Sequence, residues 1–170
     1  MSGHSKWSQI KHKKGITDKK KGQLFSKLSK LISLAARKGA NLQSNLELKS
    51  AIDNAKSYNM PNDNIERAIK KVSDKSAAQL EELFIEAIGP GGIALKIKAI
   101  TDSRNRTIAE IKNILSDNSS KMVPPGSISW MFSQPAIITD EATQDQITRL
   151  FESLDNNDDV EDIISNLEQI

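Results

Sequence analysis

The stretch Leu83–Thr101, LFIEAIGPGGIALKIKAIT, decides the class of fold. Two apolar runs, Leu83–Ile88 and Ile93–Thr101, flank Gly89-Pro90-Gly91-Gly92, and such a cluster between apolar runs is typical of a hairpin turn. The second run alternates with a period of two, which predicts a half-buried strand with Ala94, Lys96 and Lys98 on one face and Ile93, Leu95, Ile97 and Ala99 on the other. The turn lacks the G-x-x-x-x-G-K-[ST] spacing of a phosphate-binding loop, so a hairpin is the favoured interpretation.

The residues after this hairpin add further elements of both kinds. Thr107 and Glu110 have capping-box spacing and predict the start of a helix, whose apolar stripe is Ile108, Ile111, Ile114 and Leu115. We predict strands at Ser127–Phe132 and Ala136–Thr139, a helix at Ala142–Leu154, and a strand or short helix at Val160–Ser165. Residues 76–170 are therefore predicted to form an α/β domain with sheet and helices in two layers.

The residues before the hairpin have helical periodicity. A first helix is predicted from about Thr17, as N-cap, to Lys38, where Gly39 ends it. The second should follow a Ser44–Glu47 capping box, and the third, after Pro61, an Asp63–Glu66 box. The apolar stripes are Leu24, Leu28, Leu31 and Ala35; then Leu48, Ala51, Ile52 and Ala55; then Ile65, Ala68, Ile69 and Val72. The predicted fold class is α+β: a basic arm and three-helix domain over residues 1–75, then the α/β domain.

Composition narrows the classes of function. The chain has no cysteine, which excludes disulfides, iron–sulfur clusters and cysteine-based zinc sites. No window holds the roughly 18 consecutive apolar residues of a membrane helix. The basic N-terminus is not followed by the apolar segment of a signal peptide, and the first arginine is Arg37, which is unlike a transit peptide. We expect a cytoplasmic protein with no membrane partner.

The charge is distributed very unevenly along the chain. Residues 1–75 hold 17 lysines and arginines against six acidic residues, a net charge of +11. Residues 76–170 hold seven against 16, a net charge of −9, so the whole chain carries only +2. Such asymmetry indicates a polyanionic partner for the basic half, most commonly nucleic acid, because neutralised phosphates release condensed counterions.

The arm and first helix are the principal candidate site. Residues 1–38 contain 11 lysines and arginines and one acidic residue, Asp18. A solvated charged surface is the alternative, but this density repels itself unless a polyanion is bound. The predicted nucleic-acid contacts here are His4, Lys6, Trp7, Lys11, His12, Lys13, Lys14, Lys19, Lys20, Lys21, Lys27 and Lys30. The indole of Trp7 either stacks on a base or anchors the arm to the helices, and the sequence favours neither.

Arg104 and Arg106 form a second candidate site. They come just before a predicted helix N-terminus, where free N–H groups favour an anion, and guanidinium groups bind phosphate in a bidentate manner. The alternative is that both pair with carboxylates of the acidic half. The residues leave these two interpretations equal.

Enzymatic and metal-binding patterns are weak. The two histidines, His4 and His12, lie in the basic arm without the close helical spacing of zinc ligands, and no nucleophile elbow or dinucleotide fingerprint is present. Asp155–Asp159 opens like a calcium loop, but Val160 and Asn166 replace the glycine and glutamate that the loop needs, so a solvated acidic turn is predicted. Trp130 and Phe132 are predicted to pack on a strand. We expect no catalytic residues, cofactor, metal or small-molecule substrate.

Several motifs together resemble the YebC/PmpR family. In chain order they are Gly3-His4-Ser5-Lys6-Trp7, Ile10-Lys11-His12-Lys13-Lys14, Asn59-Met60-Pro61, Ile65-Glu66-Arg67-Ala68-Ile69, Gly89-Pro90-Gly91-Gly92, Asp102, Arg104-Asn105-Arg106-Thr107, Ala109-Glu110, Gly126-Ser127 and Trp130-Met131-Phe132. They span nearly all of residues 3–133, and their ordered combination is very specific.

The resemblance implies an N-terminal helical domain followed by α/β domains, with no catalytic activity. It implies DNA-binding transcriptional regulation in the bacterial cytoplasm, although relatives that include a mitochondrial translational activator act on translation at the ribosome. Members of the family usually insert a further α/β domain between the segments that match Ala136–Thr139 and Ala142–Leu154. This sequence has only a short turn there.

Three hypotheses of function follow. The first is a nucleic-acid-binding regulator, in its favoured form a DNA-binding transcriptional regulator. Its lysines would neutralise phosphates with modest sequence specificity or by recognition of folded RNA shape. The second is a ribosome-associated translation factor that places its arm against ribosomal RNA. The third is a protein-interaction module whose basic half docks an acidic protein. The sequence carries no signal for oligomeric state or for a target sequence.

Overall fold

The computed structural model describes residues 18–74 and 79–168. The chain divides into a helical unit that ends at Glu81 and an α/β unit that begins at Glu82. The predicted arm, with His4, Lys6, Trp7, Lys11, His12, Lys13 and Lys14, lies outside the described residues, as does the predicted N-cap Thr17.

The helical unit contains α1 (Asp18–Ala36), α2 (Leu46–Ser57) and α3 (Asn62–Lys70), followed by a 3-10 turn at Lys71–Ser73. Their apolar stripes meet in one core, as the periodicity predicts, except that Val72, predicted on the stripe of the third helix, lies in the 3-10 turn and is exposed. The buried core residues are Leu28, Ile32, Ala35, Ala36, Leu48, Ala51, Ile52, Ala55, Met60, Ile65 and Ala68. The helix α1 ends at Ala36, two residues before the predicted end at Lys38, and Gly39 follows with a φ of 125°.

Both predicted capping boxes of this unit are wrong. The N-cap of α2 is Asn45, whose side chain accepts from the Leu48 N–H, because the amide of Asn45 is buried and also donates to the Ala35 and Gly39 carbonyls. Ser44 stays outside the helix. The third helix begins directly after Pro61, which is the N-cap and makes no side-chain capping bond.

The α/β unit contains β1 (Glu81–Ile88), β2 (Ala94–Thr101), α4 (Arg104–Asp117), β3 (Lys121–Val123), α5 (Glu141–Asp155) and β4 (Val160–Ser165). Among the described residues the strands form one sheet in the order β3-β1-β2-β4, and the β1–β3 and β2–β4 pairs are antiparallel. The predicted hairpin is confirmed, since the Gly89 N–H donates to the Ile93 carbonyl across a 3-10 turn at Pro90–Gly92.

The core of this unit lies between the sheet and the two helices, which confirms the predicted two layers. Its strand residues include Leu83, Ile85, Ile97 and Ile163, and its helix residues include Ile111, Leu115, Leu150 and Leu154. Ala94, predicted on the half-exposed face with Lys96 and Lys98, is buried as well. No helix in the described ranges is both long and apolar enough to cross a membrane.

Three predictions in this unit need correction: two predicted strands and the start of one helix. Residues predicted as a strand at Ser127–Phe132 instead form a 3-10 turn at Ser129–Ser133, stabilised locally by the Trp130 indole N–H donating to the Ser127 carbonyl. The strand predicted at Ala136–Thr139 is reduced to a single bridge, from Ala136 to Leu167. The strand β3 was not predicted.

The third correction concerns the start of α4. This helix begins at Arg104, so Thr107 lies inside it and is not a cap. The Thr107 hydroxyl lies 2.8 Å from that of Thr101 and donates to Asp159 at 2.7 Å. These tertiary hydrogen bonds take the place of the predicted local one.

Candidate nucleic-acid interface

Three consecutive lysines, Lys19, Lys20 and Lys21, occupy the first turn of α1 and are exposed. The positive end of the helix dipole lies in the same place, so positive charge there is electrostatically unfavourable. Only Asp18 offsets it within that turn. The Lys21 ammonium lies 5.7 Å from the ring centroid of Phe25, a cation–π contact that orients it. A bound polyanion would relieve this accumulation of charge.

The two lysines farther along α1 differ from that group. Lys27 is 6% exposed, because it adjoins Leu28 at the edge of the buried stripe. So small an exposed surface is unfavourable for the phosphate contact that was predicted at Lys27. Lys30 is half-buried.

The helical unit presents further cations that were not among the predicted site residues. Exposed ones are Arg37, Lys38, Lys49, Lys56, Arg67, Lys70 and Lys71. Three of them make contacts within the unit. Lys38 pairs with Glu47 at 2.7 Å, the Arg37 guanidinium donates to the Leu80 carbonyl, and Arg67 donates to Asn64 Oδ1 at 2.7 Å. Most of them lie on the polar sides of α2 and α3, opposite the apolar stripes. That position in the helical repeat was the sequence signal that could have identified them.

Arg106 lies in the first turn of α4 and is surrounded by carboxylates. Its Nη2 lies 2.8 Å from Asp159 Oδ2 and 3.0 Å from Asp102 Oδ1, and its Nε lies 3.7 Å from Glu110 Oε1. The hydrogen bonds to Asp159 and then to Asp102 raise the pKa of Arg106 above its ordinary value. This arrangement matches the alternative in which arginine pairs with the acidic half. Arg104, the first residue of α4, is exposed.

Asp159 lies in the segment that was predicted to be a solvated acidic turn, and for this residue that prediction is wrong. It is 5% exposed and accepts hydrogen bonds from Arg106 and Thr107. A carboxylate can be buried when it is paired and hydrogen-bonded. The side chain therefore ties the α5–β4 connection to the start of α4.

Trp130 and Phe132 do not lie on a strand, since both belong to the 3-10 turn. Trp130 is 62% exposed, which differs from the packing role that was predicted. Phe132 is half-buried, with the Lys96 ammonium 4.9 Å from its ring centroid. Across residues 18–74 and 79–168, no three histidine, cysteine, aspartate or glutamate side chains are grouped so that they could hold a metal.

Two models of protein families match the chain. Residues 5–75 match the TACO1/YebC protein N-terminal domain, and residues 80–145 match the TACO1/YebC second and third domain. Together the two matches cover most of the 170 residues.

Curated relatives agree with these matches. A probable transcriptional regulatory protein of Halothermothrix orenii is 44% identical over 170 residues, which cover 97% of this chain and 66% of the relative. One of Trichlorobacter lovleyi is 43% identical, over 100% of this chain and 69% of the relative. One of Chloroflexus aurantiacus is 48% identical, and the match covers 56% of its length. The chain thus spans between about half and two thirds of the length of these relatives.

A solved structure has the same fold. The crystal structure of the conserved hypothetical protein Aq1575 from Aquifex aeolicus superposes with a TM-score of 0.85 at 28% sequence identity. The match covers 96% of this chain and 97% of that chain. The curated relatives are longer than this chain. That their additional length lies in an insertion before α5 stays a prediction.

Proposed function

The chain belongs to the TACO1/YebC family, and from this premise we propose that it is a non-enzymatic regulator of gene expression that binds nucleic acid through its basic N-terminal half. The relatives named probable transcriptional regulatory proteins favour a DNA-binding transcriptional regulator. Such a protein would act in the cytoplasm.

One observation carries the proposal: the concentration of positive charge at the start of α1. Lys19, Lys20 and Lys21 are exposed at the positive end of the helix dipole, and the predicted arm before them adds Lys6, Lys11, Lys13 and Lys14. Lysine binds phosphate as a point charge, and such contacts do not distinguish one base sequence from another. We therefore expect the protein to recognise the backbone or the shape of the nucleic acid. Arg104 is proposed as a further phosphate contact, whereas Arg106 is held by carboxylates.

The same chemistry supports the second function, a ribosome-associated translation factor. A lysine cluster neutralises ribosomal RNA as readily as DNA, because its ammonium groups bind backbone phosphates that both polymers carry. Sedimentation of the protein with ribosomes, compared with its occupancy on chromosomal DNA in the same cells, distinguishes the two. Association confined to ribosomes would replace the transcriptional form of the proposal with the translational one.

The primary test is affinity for nucleic acid as a function of salt concentration. Neutralisation of about 6 phosphates predicts a log–log slope near −5 on duplex DNA. A flat salt response would contradict the proposal.

A charge-reversal variant tests the location. We expect the triple variant Lys19→Glu, Lys20→Glu and Lys21→Glu to abolish binding of nucleic acid. A second triple variant in the arm, Lys11→Glu, Lys13→Glu and Lys14→Glu, should also abolish it. Acidic residues in the first turn of a helix favour the helix dipole, so lost binding by the first variant would not reflect a lost helix. The matched control makes the same charge change at exposed positions of the α/β unit: Lys112→Glu, Lys121→Glu and Arg149→Glu. Equal losses in the test and control variants would reject the assigned location.

A further inference from the structure

A groove of about 800 Å³ lies in the helical unit, along the side of α1. One wall is formed by α1 itself and the other by the segment from Lys71 to Asp74 together with Gln79 and Leu80. Arg37 joins the two walls by donating to the Leu80 carbonyl, and the buried Ser33 hydroxyl joins α1 to α3 by donating to the Ala68 carbonyl at 2.7 Å. Its volume is within the range of about 300–1,000 Å³ that is typical of ligand sites.

The lining of the groove is polar and cationic. Ser26, Ser29 and Ser33 line it from successive turns of α1, and of these Ser33 is buried with its hydroxyl donated to Ala68. Positive charge comes from both walls, through Lys30 and Arg37 on one side and Lys71 on the other, against the single carboxylate of Asp74. Hydroxyl, guanidinium and ammonium groups are the side-chain donors that bind phosphate oxygens in protein–nucleic acid complexes.

The groove continues the lysine cluster at the start of α1. Lys19 precedes Ser26 by seven residues, which is two helical turns, so both lie on the same side of α1. From Lys19 to Ala36, where α1 ends, the helix rises by about 26 Å. That length corresponds to about seven base pairs of a duplex at an axial rise of about 3.4 Å each.

We infer that this groove binds the phosphodiester backbone of the nucleic acid, directly beyond the phosphate that Lys19 neutralises on the same side of α1. The inference rests on the proposed function and deepens it, because it assigns Ser26, Ser29, Arg37 and Lys71 as phosphate contacts. The chemistry of the ligand is that of a phosphate ester, which a free nucleotide shares with a nucleic acid. The length of the cationic surface along α1 favours the polymer.

A pair of matched substitutions tests it. Ser26 lines the groove and Ser50 does not, yet both are exposed serines within helices of the same unit. We expect Ser26→Glu, which places a carboxylate in the groove, to weaken binding of a 20-nucleotide duplex DNA or RNA at least tenfold. Ser50→Glu adds the same charge elsewhere and should weaken it less than threefold.

A second pair probes the charge in the same groove. Lys71→Gln should reduce the salt slope on duplex DNA by about 0.9, the contribution of one neutralised phosphate. Lys56→Gln, an exposed lysine of α2 outside the groove, should leave the slope unchanged. Circular-dichroism melting of each variant verifies that it is folded, and the Lys71 pair decides the matter if Ser26→Glu melts early.

The outcomes separate the inference from the proposed function. Equal effects within both pairs would overturn the groove while leaving nucleic-acid binding in place. A wild-type protein with no affinity for DNA or RNA would overturn both. Titration with nucleoside monophosphate supplies the last arm: if Ser26→Glu abolishes nucleotide binding but spares the 20-nucleotide ligand, the groove is a small-molecule site and the inference is wrong.

Discussion

At the scale of single residues, the buried carboxylate of Asp159 has the largest structural consequence. It receives hydrogen bonds from the Arg106 guanidinium and the Thr107 hydroxyl, and the Thr107 hydroxyl also lies within hydrogen-bond distance of Thr101. Arg106 belongs to a motif that the sequence marks as a phosphate contact, yet its charge is balanced inside the α/β unit. The partner could not be predicted, because 53 positions separate the two residues.

We predict that Asp159→Ala destabilises the protein by about 2 kcal/mol, since it removes a charge-assisted acceptor and leaves a buried hydroxyl with fewer partners. Urea denaturation measures the change in free energy of unfolding. Asp145→Ala, at an exposed position within α5, is the control and should change it little. If the two substitutions have the same effect, the Asp159 network does not stabilise the fold.

The N-cap of α5 introduces a dependence on pH. Asp140 accepts from both the hydroxyl and the N–H of Thr143, and these bonds, the hydroxyl first, lower the pKa of Asp140. Because the pKa of Asp140 is lower in the folded state than in the unfolded chain, this stabilisation is present at pH values above the ordinary aspartate pKa of about 3.9. It is lost as the pH falls through the folded-state value.

Asp140→Asn should flatten this part of the pH profile. Asparagine is an equally good N-cap but does not titrate, so we expect the variant to lose less thermal stability than the wild type between pH 6 and pH 3. Thermal unfolding midpoints at several pH values measure this difference. Parallel profiles for the two proteins would show that the Asp140 carboxylate contributes no titrating stability.

At the scale of elements, the turn Gly89-Pro90-Gly91-Gly92 supports α5 as well as closing the hairpin. Gly91 has a φ of 69°, and a Cβ there would lie 2.8 Å from Ile138 Cδ1 and 2.9 Å from Thr143 Cγ2. The positive φ and the lack of space for a Cβ both require glycine at this position. The turn therefore positions the segment that leads into α5.

Gly91→Ala and Gly92→Ala separate these two reasons. Both residues have positive φ, but a Cβ at Gly92 would meet nothing within 4 Å. We expect Gly92→Ala to destabilise by about 1–2 kcal/mol through left-handed backbone strain alone. Gly91→Ala should lose a further 1–3 kcal/mol, roughly, through overpacking. Equal losses in denaturant titrations would mean that the contact with Ile138 and Thr143 adjusts without strain.

Elements with strong local signals were predictable, and those fixed by tertiary contacts were not. The stripe of α1 and the Leu83–Thr101 hairpin repeat with the periods of a helix and a strand, so their identity follows from the sequence. The strand β3 has three residues and exists through its pairing with Glu86–Ile88. Ser129–Ser133 has apolar content typical of a strand, but local hydrogen bonds hold it as a 3-10 turn.

The candidate site divides in the same way. Composition identifies the lysines at the start of α1, since the residue type alone carries the charge. Burial of Lys27 and the groove beside Ser26 depend on how α1 packs with the segment after α3, which the periodicity of one helix does not determine. Lys71 was missed for this reason.

At the scale of the whole molecule, the chain has two separate apolar cores, and its positive and negative charge is concentrated in different parts of the sequence. Ile32 and Leu48 belong to the core of the helical unit, whereas Ile97 and Leu150 belong to that of the α/β unit. The first half of the sequence carries a net charge of +11 and the second −9. A polyanion that binds the cationic half should therefore stabilise the helical unit selectively.

Hydrogen exchange measures this selectivity residue by residue. With nucleic acid at 100 times its Kd, binding contributes about 2.7 kcal/mol to the state that binds. Amides of the Ile32 and Leu48 core that exchange by opening of the helical unit should then exchange about 100-fold more slowly. Those around Ile97 and Leu150 should be protected far less, because every proposed phosphate contact except Arg104 lies outside the acidic α/β unit.

The variant with Lys19→Glu, Lys20→Glu and Lys21→Glu provides the control, because its cores are unchanged while its phosphate contacts are removed. Added protection should vanish in that variant at the same concentration of nucleic acid. Protection that rises mainly around Ile97 and Leu150 in the wild type would place the ligand on the α/β unit. The basic half would then have to be explained by its own folding or by another partner, because the charge of the chain and the site of binding would no longer coincide.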